Sequence, residues 1–169
     1  LPDSRTIAEE LKKIDFTVKY YNTPAKLVAK KGASFDGTAA GLNGKRLGVQ
    51  RATTHQCSAE KLFPGAELVL YATQEEVWQD LAAGRLDAQL SDSLQAYEGF
   101  LALDAGSGFD FLGDAIDDVE CQGVGAGFAV RKEDSALRDQ LSQIILDIRA
   151  DGTYKAMNDK YFAVDIYGN

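Results

Sequence analysis

The chain is poor in the residues from which metal centres and disulfide-rich scaffolds are built. It has one histidine and two cysteines, and neither Cys57 nor Cys121 lies in a Cys-x-x-Cys or Cys/His metal spacing. Most histidine-rich zinc and iron sites are therefore excluded, and no cofactor is expected. The two cysteines can form one disulfide, which would indicate an oxidising compartment, or remain unpaired small hydrophobic residues.

Basic residues and long apolar runs are also scarce. Lys and Arg number 18 against 26 Asp and Glu, a net charge of -8, which argues against nucleic acid or an anionic membrane surface as a partner. No apolar run approaches the roughly 18 residues of a membrane-spanning helix. Residues 1–5 do not form a signal peptide, so we expect that any export signal has been removed or never existed. With 169 residues, 45% of them hydrophobic, the chain can form one domain or two small lobes.

The sequence does contain a βαβαβ pattern between about residues 47 and 100. Three short apolar runs predict strands at 46–50, 67–71 and 86–90. Residues 73–76 have the Thr-x-x-Glu form of a capping box, and a threonine also precedes the first predicted helix. This alternation predicts an α/β fold with a parallel sheet.

Candidate ligand-binding residues follow the first and third of these strands. Thr53, Thr54 and His55 come after the first strand, and Asp92 follows the third. If the third strand lies beside the first, these groups converge at one crevice, where open α/β sheets bind small ligands. Hydroxyls, the N–H groups of a helix start and a carboxylate suit a small zwitterion.

The flanking segments have other patterns. Extended structure is predicted at 14–21, 26–29 and 123–130, and surface connections at 31–44 and 104–118. A helix beginning near residue 135 precedes a shorter one that follows Gly152 and contains Met157. The longer helix carries an amphipathic apolar stripe, made of Leu137, Leu141, Ile144, Ile145 and Ile148.

Five segments, in order, resemble one known family. They are "KKIDFTVKYYNTPAKLVAKKG" from Lys12, "LNGKRLGVQRATTH" from Leu42, "DLAAGRLDAQLSD" from Asp80, "RKEDSALRDQLSQIILDIRADGTY" from Arg131 and "DKYFAVDIYGN" from Asp159. They resemble the periplasmic amino-acid-binding proteins of ABC importers, in particular the group that binds lysine, arginine, ornithine or histidine.

The resemblance implies a type II periplasmic-binding-protein-like α/β fold. One complete lobe, with a βαβαβ parallel sheet, is expected at 25–118 and a crossover or hinge at 119–127. Residues 1–24 and 128–169 would be the remnant of the first lobe, most of whose N-terminal part is missing. The implied partners are an amino acid and the membrane subunits of an importer. The implied location is the periplasm or, in a Gram-positive cell, the extracellular side, with a lipid anchor.

The resemblance also implies roles for individual residues. Thr53 and Thr54 would contact the ligand α-carboxylate through N–H and hydroxyl groups, and Asp92 would pair with the α-ammonium. The alternative is that all three only cap helices. His55 would face the ligand as a neutral ring, while Arg51 either lines the cleft mouth or is an ordinary exposed arginine.

Two positions depart from the family pattern. Ala52 stands where a glycine usually precedes the threonines, which puts the loop geometry in question. Glu10 stands where relatives have the arginine that clamps the carboxylate bidentately, and Arg5 lies too early in the direct alignment. Either Arg5 reaches in from a rearranged opening, or the clamp is lost.

The sequence is compatible with three functions. The first is a non-catalytic solute-binding protein, or a fragment of one, that binds a polar amino acid, with basic amino acids favoured. The second is a dehydratase on the same fold that acts on prephenate- or arogenate-like substrates, with His55 or Asp92 as general acid or base. The third is a truncated sensing or structural module that binds no ligand.

Self-association is a further expectation. The apolar stripe would ordinarily cover a sheet supplied largely by the missing part of the first lobe. Burial of each Leu or Ile contributes on the order of 1.5–3 kcal/mol, so an exposed stripe favours association. The alternatives are exchanged segments, a self-complementary dimer or a missing partner fragment.

Overall fold

The computed structural model describes residues 13–162 and 165–168, which fall into two compact units. The central unit is Pro24–Gly123. The flanking unit consists of the described residues before and after it. The central unit contains the whole segment 25–118 in which the sequence predicts a complete lobe. That these units are the two lobes of one clamp stays a prediction.

A five-stranded mixed sheet forms the centre of the central unit. Its strands are β2 Ala25–Lys30, β3 Arg46–Gln50, β4 Glu67–Tyr71, β5 Ala88–Asp92 and β6 Phe109–Ile116. Their order in the sheet is β4-β3-β5-β2-β6. The strands β3, β4 and β5 run parallel, whereas β2 pairs antiparallel with both β5 and β6.

The predicted βαβαβ unit is confirmed, with β5 beside β3. Helix α1, Thr54–Leu62, follows β3, and helix α2, Gln74–Ala82, follows β4. Both begin at a threonine whose hydroxyl accepts from a backbone N–H of the first turn, and at Thr73 the full capping box forms. These caps satisfy N–H groups that have no partner inside the helix.

The sheet as a whole is mixed rather than parallel, because β2 pairs antiparallel with β5 and β6. The sequence predicts extended structure at 26–29, within β2, but does not place it in this sheet, and it does not predict β6. The predicted connection at 104–118 contains β6, which closes the sheet at the edge of β2. The glycine and aspartates of β6 interrupt its apolar residues, so the sequence shows no clear strand pattern there. Phe109, Phe111, Leu112 and Ile116 pack against the core.

Side chains cover the sheet in two clusters. Leu27 and Val28 are neighbours on β2, belong to different clusters, and point to opposite faces because successive strand residues alternate. The first cluster contains Ala59 of α1, and the second contains Val77 and Leu81 of α2. Each helix therefore buries one face against the sheet.

After β5 the chain forms a short helical segment with a tight turn. Helix α3 has four residues, Ser93–Ala96, and continues as a π-helical turn, Tyr97–Leu101. A Cβ placed on Gly99 would lie 2.4 Å from the ring of Trp78. Glycine is therefore required for the close packing of this turn on α2.

The segment before Gly123 also differs from the prediction. The expected extended crossover at 119–127 begins with a short helix, α4, Val119–Gln122. Cys121 of α4 forms a disulfide with Cys57 of α1. The pairing that the sequence left open therefore occurs, and it bonds α4 to α1 within the central unit.

The flanking unit contains a two-stranded antiparallel sheet of β1, Ile14–Phe16, and β7, Ala129–Arg131. Helices α5, Ser135–Ala150, and α6, Thr153–Tyr161, follow, as predicted. In the stripe of α5, Ile145 is buried, whereas Leu137 and Ile144 are each 47% exposed. The predicted self-association is not tested by these exposures and stays a prediction.

No helix in the described part of the chain has the length and apolar character needed to cross a bilayer.

Candidate functional site

The predicted site residues lie at the carboxyl ends of two neighbouring parallel strands. Thr53 and Thr54 stand between β3 and the first turn of α1, and Asp92 is the last residue of β5. Strand β5 pairs in parallel with β3, and the negative charge of Asp92 partly opposes the burial that lowers the pKa of His55. The structure therefore brings Asp92 and the start of α1 together, as the sequence predicts.

Thr53 is the N-cap of α1. Its hydroxyl accepts a hydrogen bond from Gln56 N at 3.2 Å and donates one to Gln50 O at 2.7 Å. This hydroxyl is thus committed to the protein, in agreement with the capping alternative. Its backbone N–H remains a candidate ligand donor, and the ligand role of Thr53 stays a prediction.

Thr54 offers a different group. It is exposed at the first position of α1, and its hydroxyl makes no hydrogen bond within the described residues. The N–H groups of this turn carry the partial positive charge of a helix N-terminus. A hydroxyl beside these donors can hold an anion, so Thr54 is the better candidate of the two threonines for a side-chain contact.

Ala52 adopts the left-handed backbone conformation, with φ 59°. This is the geometry that the glycine of related loops would adopt without strain, and for an alanine it is strained. The Ala52 N–H donates to Gln56 Oε1 at 2.7 Å, and Gln56 Nε2 donates to Glu60 Oε1 at 2.7 Å. The loop therefore has the conformation that glycine favours, although it carries an alanine at this position. Gln56, which the sequence argument missed, helps to hold it.

Asp92 is half-buried and caps α3. Its Oδ1 accepts a hydrogen bond from Gln95 N at 2.9 Å, so Asp92 does cap a helix. A carboxylate can accept about four hydrogen bonds, and the cap at Gln95 uses one of them. Pairing of Asp92 with an ammonium group stays a prediction.

His55 is half-buried in the first turn of α1. Burial lowers its pKa below the ordinary value of 6.5, and Asp92 opposes that shift. The imidazole is therefore mostly neutral at pH 7, as the sequence predicts for a ring at a helix N-terminus. Contact between His55 and a ligand is not tested by this geometry.

Arg51 has an exposed side chain, and its backbone N–H donates to Tyr71 O at 2.9 Å. That bond extends the pairing of β3 with β4. The observation fits an ordinary surface arginine, and the cleft-mouth role of Arg51 stays a prediction. Arg5 and Glu10, the residues considered for the carboxylate clamp, lie outside the described residues.

A set of contacts that the sequence did not indicate joins α1 to α4. We call it the α4 staple, and it comprises the Cys57–Cys121 disulfide, two ion pairs of Lys61 and one hydrogen bond. Lys61 Nζ lies 2.7 Å from Asp118 Oδ1 and 2.7 Å from Glu120 Oε2. Gln122 Nε2 donates to Ser58 Oγ at 3.0 Å.

The charges of the staple stabilise one another. Hydrogen bonds to Asp118 and Glu120 raise the pKa of Lys61, and the hydrogen bond from Lys61 lowers the pKa of Asp118. Asp118 is buried although it carries a charge, so its ion pair is needed to offset desolvation. These contacts join residues that are distant in sequence, so the spacing of residues along the chain could not predict them.

The chemistry of the site is that of a polar clamp. Among the described residues, no group of three or more His, Cys, Asp or Glu side chains is placed to hold a metal ion. The site contains helix N–H donors, an exposed hydroxyl, a neutral imidazole and a carboxylate. Such a set complements one anionic and one cationic group on a small ligand.

Comparisons with known proteins indicate one family over nearly the whole chain. The family model of bacterial extracellular solute-binding proteins, family 3, matches residues 4–164. An L-arginine-binding protein of Pseudomonas aeruginosa is 47% identical over 98% of this chain and 65% of its own length. A histidine-binding periplasmic protein of Salmonella typhimurium is 41% identical over 92% of this chain and 60% of its own length. The chain thus spans about 60–65% of these curated relatives.

Solved structures agree with the sequence comparison. An ancestral arginine-binding protein, solved with glutamine and with arginine, superposes with a TM-score of 0.74 at 27% and 26% identity. Each match covers 92% of this chain and 67% of the solved chain. Because the family model covers most of the sequence, and the α/β fold agrees with these structures, the chain belongs to the bacterial extracellular solute-binding proteins of family 3.

Proposed function

We propose that this chain contributes an amino-acid-binding half-site to a solute-binding protein of an ABC importer. The observation that carries the proposal is the convergence of a helix N-terminus and Asp92 at the ends of adjacent parallel strands. A free amino acid has an anion and a cation on one carbon. These two elements complement both charges.

The α-carboxylate binds at the start of α1. Its partners are the first-turn N–H groups and the hydroxyl of Thr54, where a negative charge is stabilised by the helix dipole and by direct hydrogen bonds. The neutral state of His55, whose pKa is lowered by burial, keeps the polar surface beside these donors uncharged at pH 7.

The α-ammonium binds to Asp92. A hydrogen bond between two charged groups is roughly twice as strong as one between neutral groups. The ammonium also replaces part of the hydration that a half-buried carboxylate loses. The site so described recognises the groups common to all amino acids, and the ligand side chain extends away from it.

A basic amino acid is the favoured ligand. The L-arginine-binding and histidine-binding names of the curated relatives support this choice, and the net charge of -8 favours cationic ligands at long range. The partners are the membrane subunits of the importer. A periplasmic or extracellular location is supported by the family and by the disulfide, which persists in oxidising compartments.

A dehydratase is the second candidate, because a partly desolvated histidine coupled to a carboxylate resembles an acid–base pair. Against it, the carboxylate of Asp92 is used as the cap of α3. We propose binding without catalysis. Elimination from prephenate or arogenate by the purified chain would revive the enzymatic alternative.

A ligand panel tests the proposal. We expect L-arginine, L-lysine and L-histidine to shift the backbone amide signals of Thr54 and His55 saturably in two-dimensional NMR, which detects millimolar binding. L-Glutamate at the same concentrations serves as the comparison for charge preference. Absence of a saturable shift with every amino acid would contradict the proposal and favour a module that binds no ligand.

A further inference from the structure

We propose that the α4 staple is a positioning device for the carboxylate-binding end of α1. The inference rests on the proposed function, because the position of α1 has a consequence for affinity only if its N-terminus holds the ligand. It assigns a ligand-binding consequence to Cys57, Cys121 and Lys61, none of which touches the ligand.

The staple grips one side of α1 close to the site. Lys61 lies four residues after Cys57 and three after Ser58, so both are its neighbours on one side of the helix. Cys57 is the fourth residue of α1 and lies one turn from Thr54. A covalent bond is therefore attached next to the N–H groups that would receive the carboxylate.

The other restraints on α1 act elsewhere. Ala59 and Phe63 hold its later part in the core, and the cap of Thr53 holds the entering chain. Between cap and strand lies Ala52 in its strained left-handed conformation. A strained residue persists only where the surroundings over-determine it. Gln56 holds Ala52 directly through a hydrogen bond, and the disulfide fixes the next residue, Cys57, to α4.

The far side of the staple is also firmly built. The backbone carbonyl of Asp118 accepts from Cys121 N at 3.1 Å and from Gln122 N at 2.7 Å. Its carboxylate is buried, with Oδ2 unpaired in the described part of the chain. Loss of Lys61 would leave this buried charge without its salt-bridge partner. Asp118 follows the last residue of β6 by two positions, and Ile116 of β6 pairs with Ala25 of β2. The staple therefore ties α1 to a segment that is anchored in the sheet.

The positioning role predicts a loss that is specific for the carboxylate. In the double variant Cys57→Ser/Cys121→Ser, α1 can relax at its N-terminus while Asp92 on β5 stays in place. L-Arginine uses both ends of the site, whereas L-argininamide lacks the negative charge and depends mainly on Asp92. Removal of the staple should therefore reduce the preference for arginine over argininamide.

The experiment measures dissociation constants of both ligands by NMR titration of the full 169-residue chain. For the double variant we expect the arginine constant to rise by about threefold or more, since helix-terminus stabilisation is of that order. The argininamide constant should remain unchanged. Lys61→Met keeps the disulfide and should raise the dissociation constant of arginine by a smaller factor. Arg85→Met breaks the ion pair with Asp80 elsewhere in the unit and serves as the control for general destabilisation.

Unchanged arginine affinity, or equal weakening of both ligands, would overturn the positioning role while leaving the proposed function intact. If the double variant does not fold, the same titrations of Lys61→Met test the inference. An unchanged preference of that variant for arginine over argininamide would then overturn it. If the unmodified chain binds neither ligand, the proposed function fails and this inference fails with it.

Discussion

Ala52→Gly should stabilise the central unit. Ala52 has φ 59°, a conformation that costs an L-residue with a Cβ about 1–2 kcal/mol. Glycine removes that cost but makes the unfolded chain more flexible, which offsets about 0.5–1 kcal/mol. We expect a net gain of about 0.5–1 kcal/mol in the free energy of unfolding.

The assay is urea unfolding followed by tryptophan fluorescence. Trp78 is the single tryptophan and lies buried in the central unit, so its signal reports on the unit that contains Ala52. The midpoint should move to higher urea with an unchanged slope.

A mirror variant provides the control. Gly44 has φ 69° and open space where a Cβ would stand, so Gly44→Ala adds backbone strain without a steric clash. It should lower stability by about 1 kcal/mol. If Ala52→Gly left the midpoint unchanged or lowered it while Gly44→Ala behaved as expected, the strain assigned to the loop before α1 would be refuted.

Three further perturbations have definite outcomes. His55→Gln should flatten the pH dependence of stability between about pH 7 and 5. Because burial lowers the pKa of His55, the stability contributed by the neutral ring is present above pH 6.5 and is lost as the pH falls below that value. An unchanged dependence of the urea midpoint on pH would contradict this. Gly99→Ala should destabilise by about 1–3 kcal/mol, because its Cβ would meet the Trp78 ring at 2.4 Å; a wild-type melting temperature would contradict it. Loss of the Cys57–Cys121 bond, which links residues 64 apart, should cost about 2–4 kcal/mol in urea unfolding, and a loss below about 1 kcal/mol would count against it.

The parts of the fold that the sequence revealed are those with local signals. The capping box at Thr73 and the apolar run of β4 predict their elements with nearly the observed bounds. The loop after β3 was found because a helix cap and a strand end are adjacent in sequence. These features depend on neighbours a few residues away.

The parts that escaped prediction depend on contacts between distant residues. The apolar residues of β6 are interrupted by aspartates and Gly113, and only its pairing with β2 makes it a strand. The staple joins Cys57 and Lys61 to residues around Cys121, so no spacing rule could indicate it. Similarly, the role of Gln56 becomes clear only when Ala52 is seen in its left-handed conformation.

The binding role of Asp92 is tested most directly by a matched pair of carboxylate variants on β5 and the residue before it. Asp92→Asn keeps a good N-cap for α3 and removes only the charge. Asp87→Asn changes a carboxylate that accepts from Arg46 N at 2.8 Å near the opposite end of β5, far along the strand from the site.

The decisive measurement is the dissociation constant of L-arginine for these two variants and the unmodified chain, by NMR titration. We predict that Asp92→Asn weakens binding by a few kcal/mol, as expected when a charge-assisted pair is lost. Asp87→Asn should bind like the unmodified chain. Equal affinity of Asp92→Asn and the unmodified chain would remove Asp92 from the site and contradict the proposed amino-acid clamp.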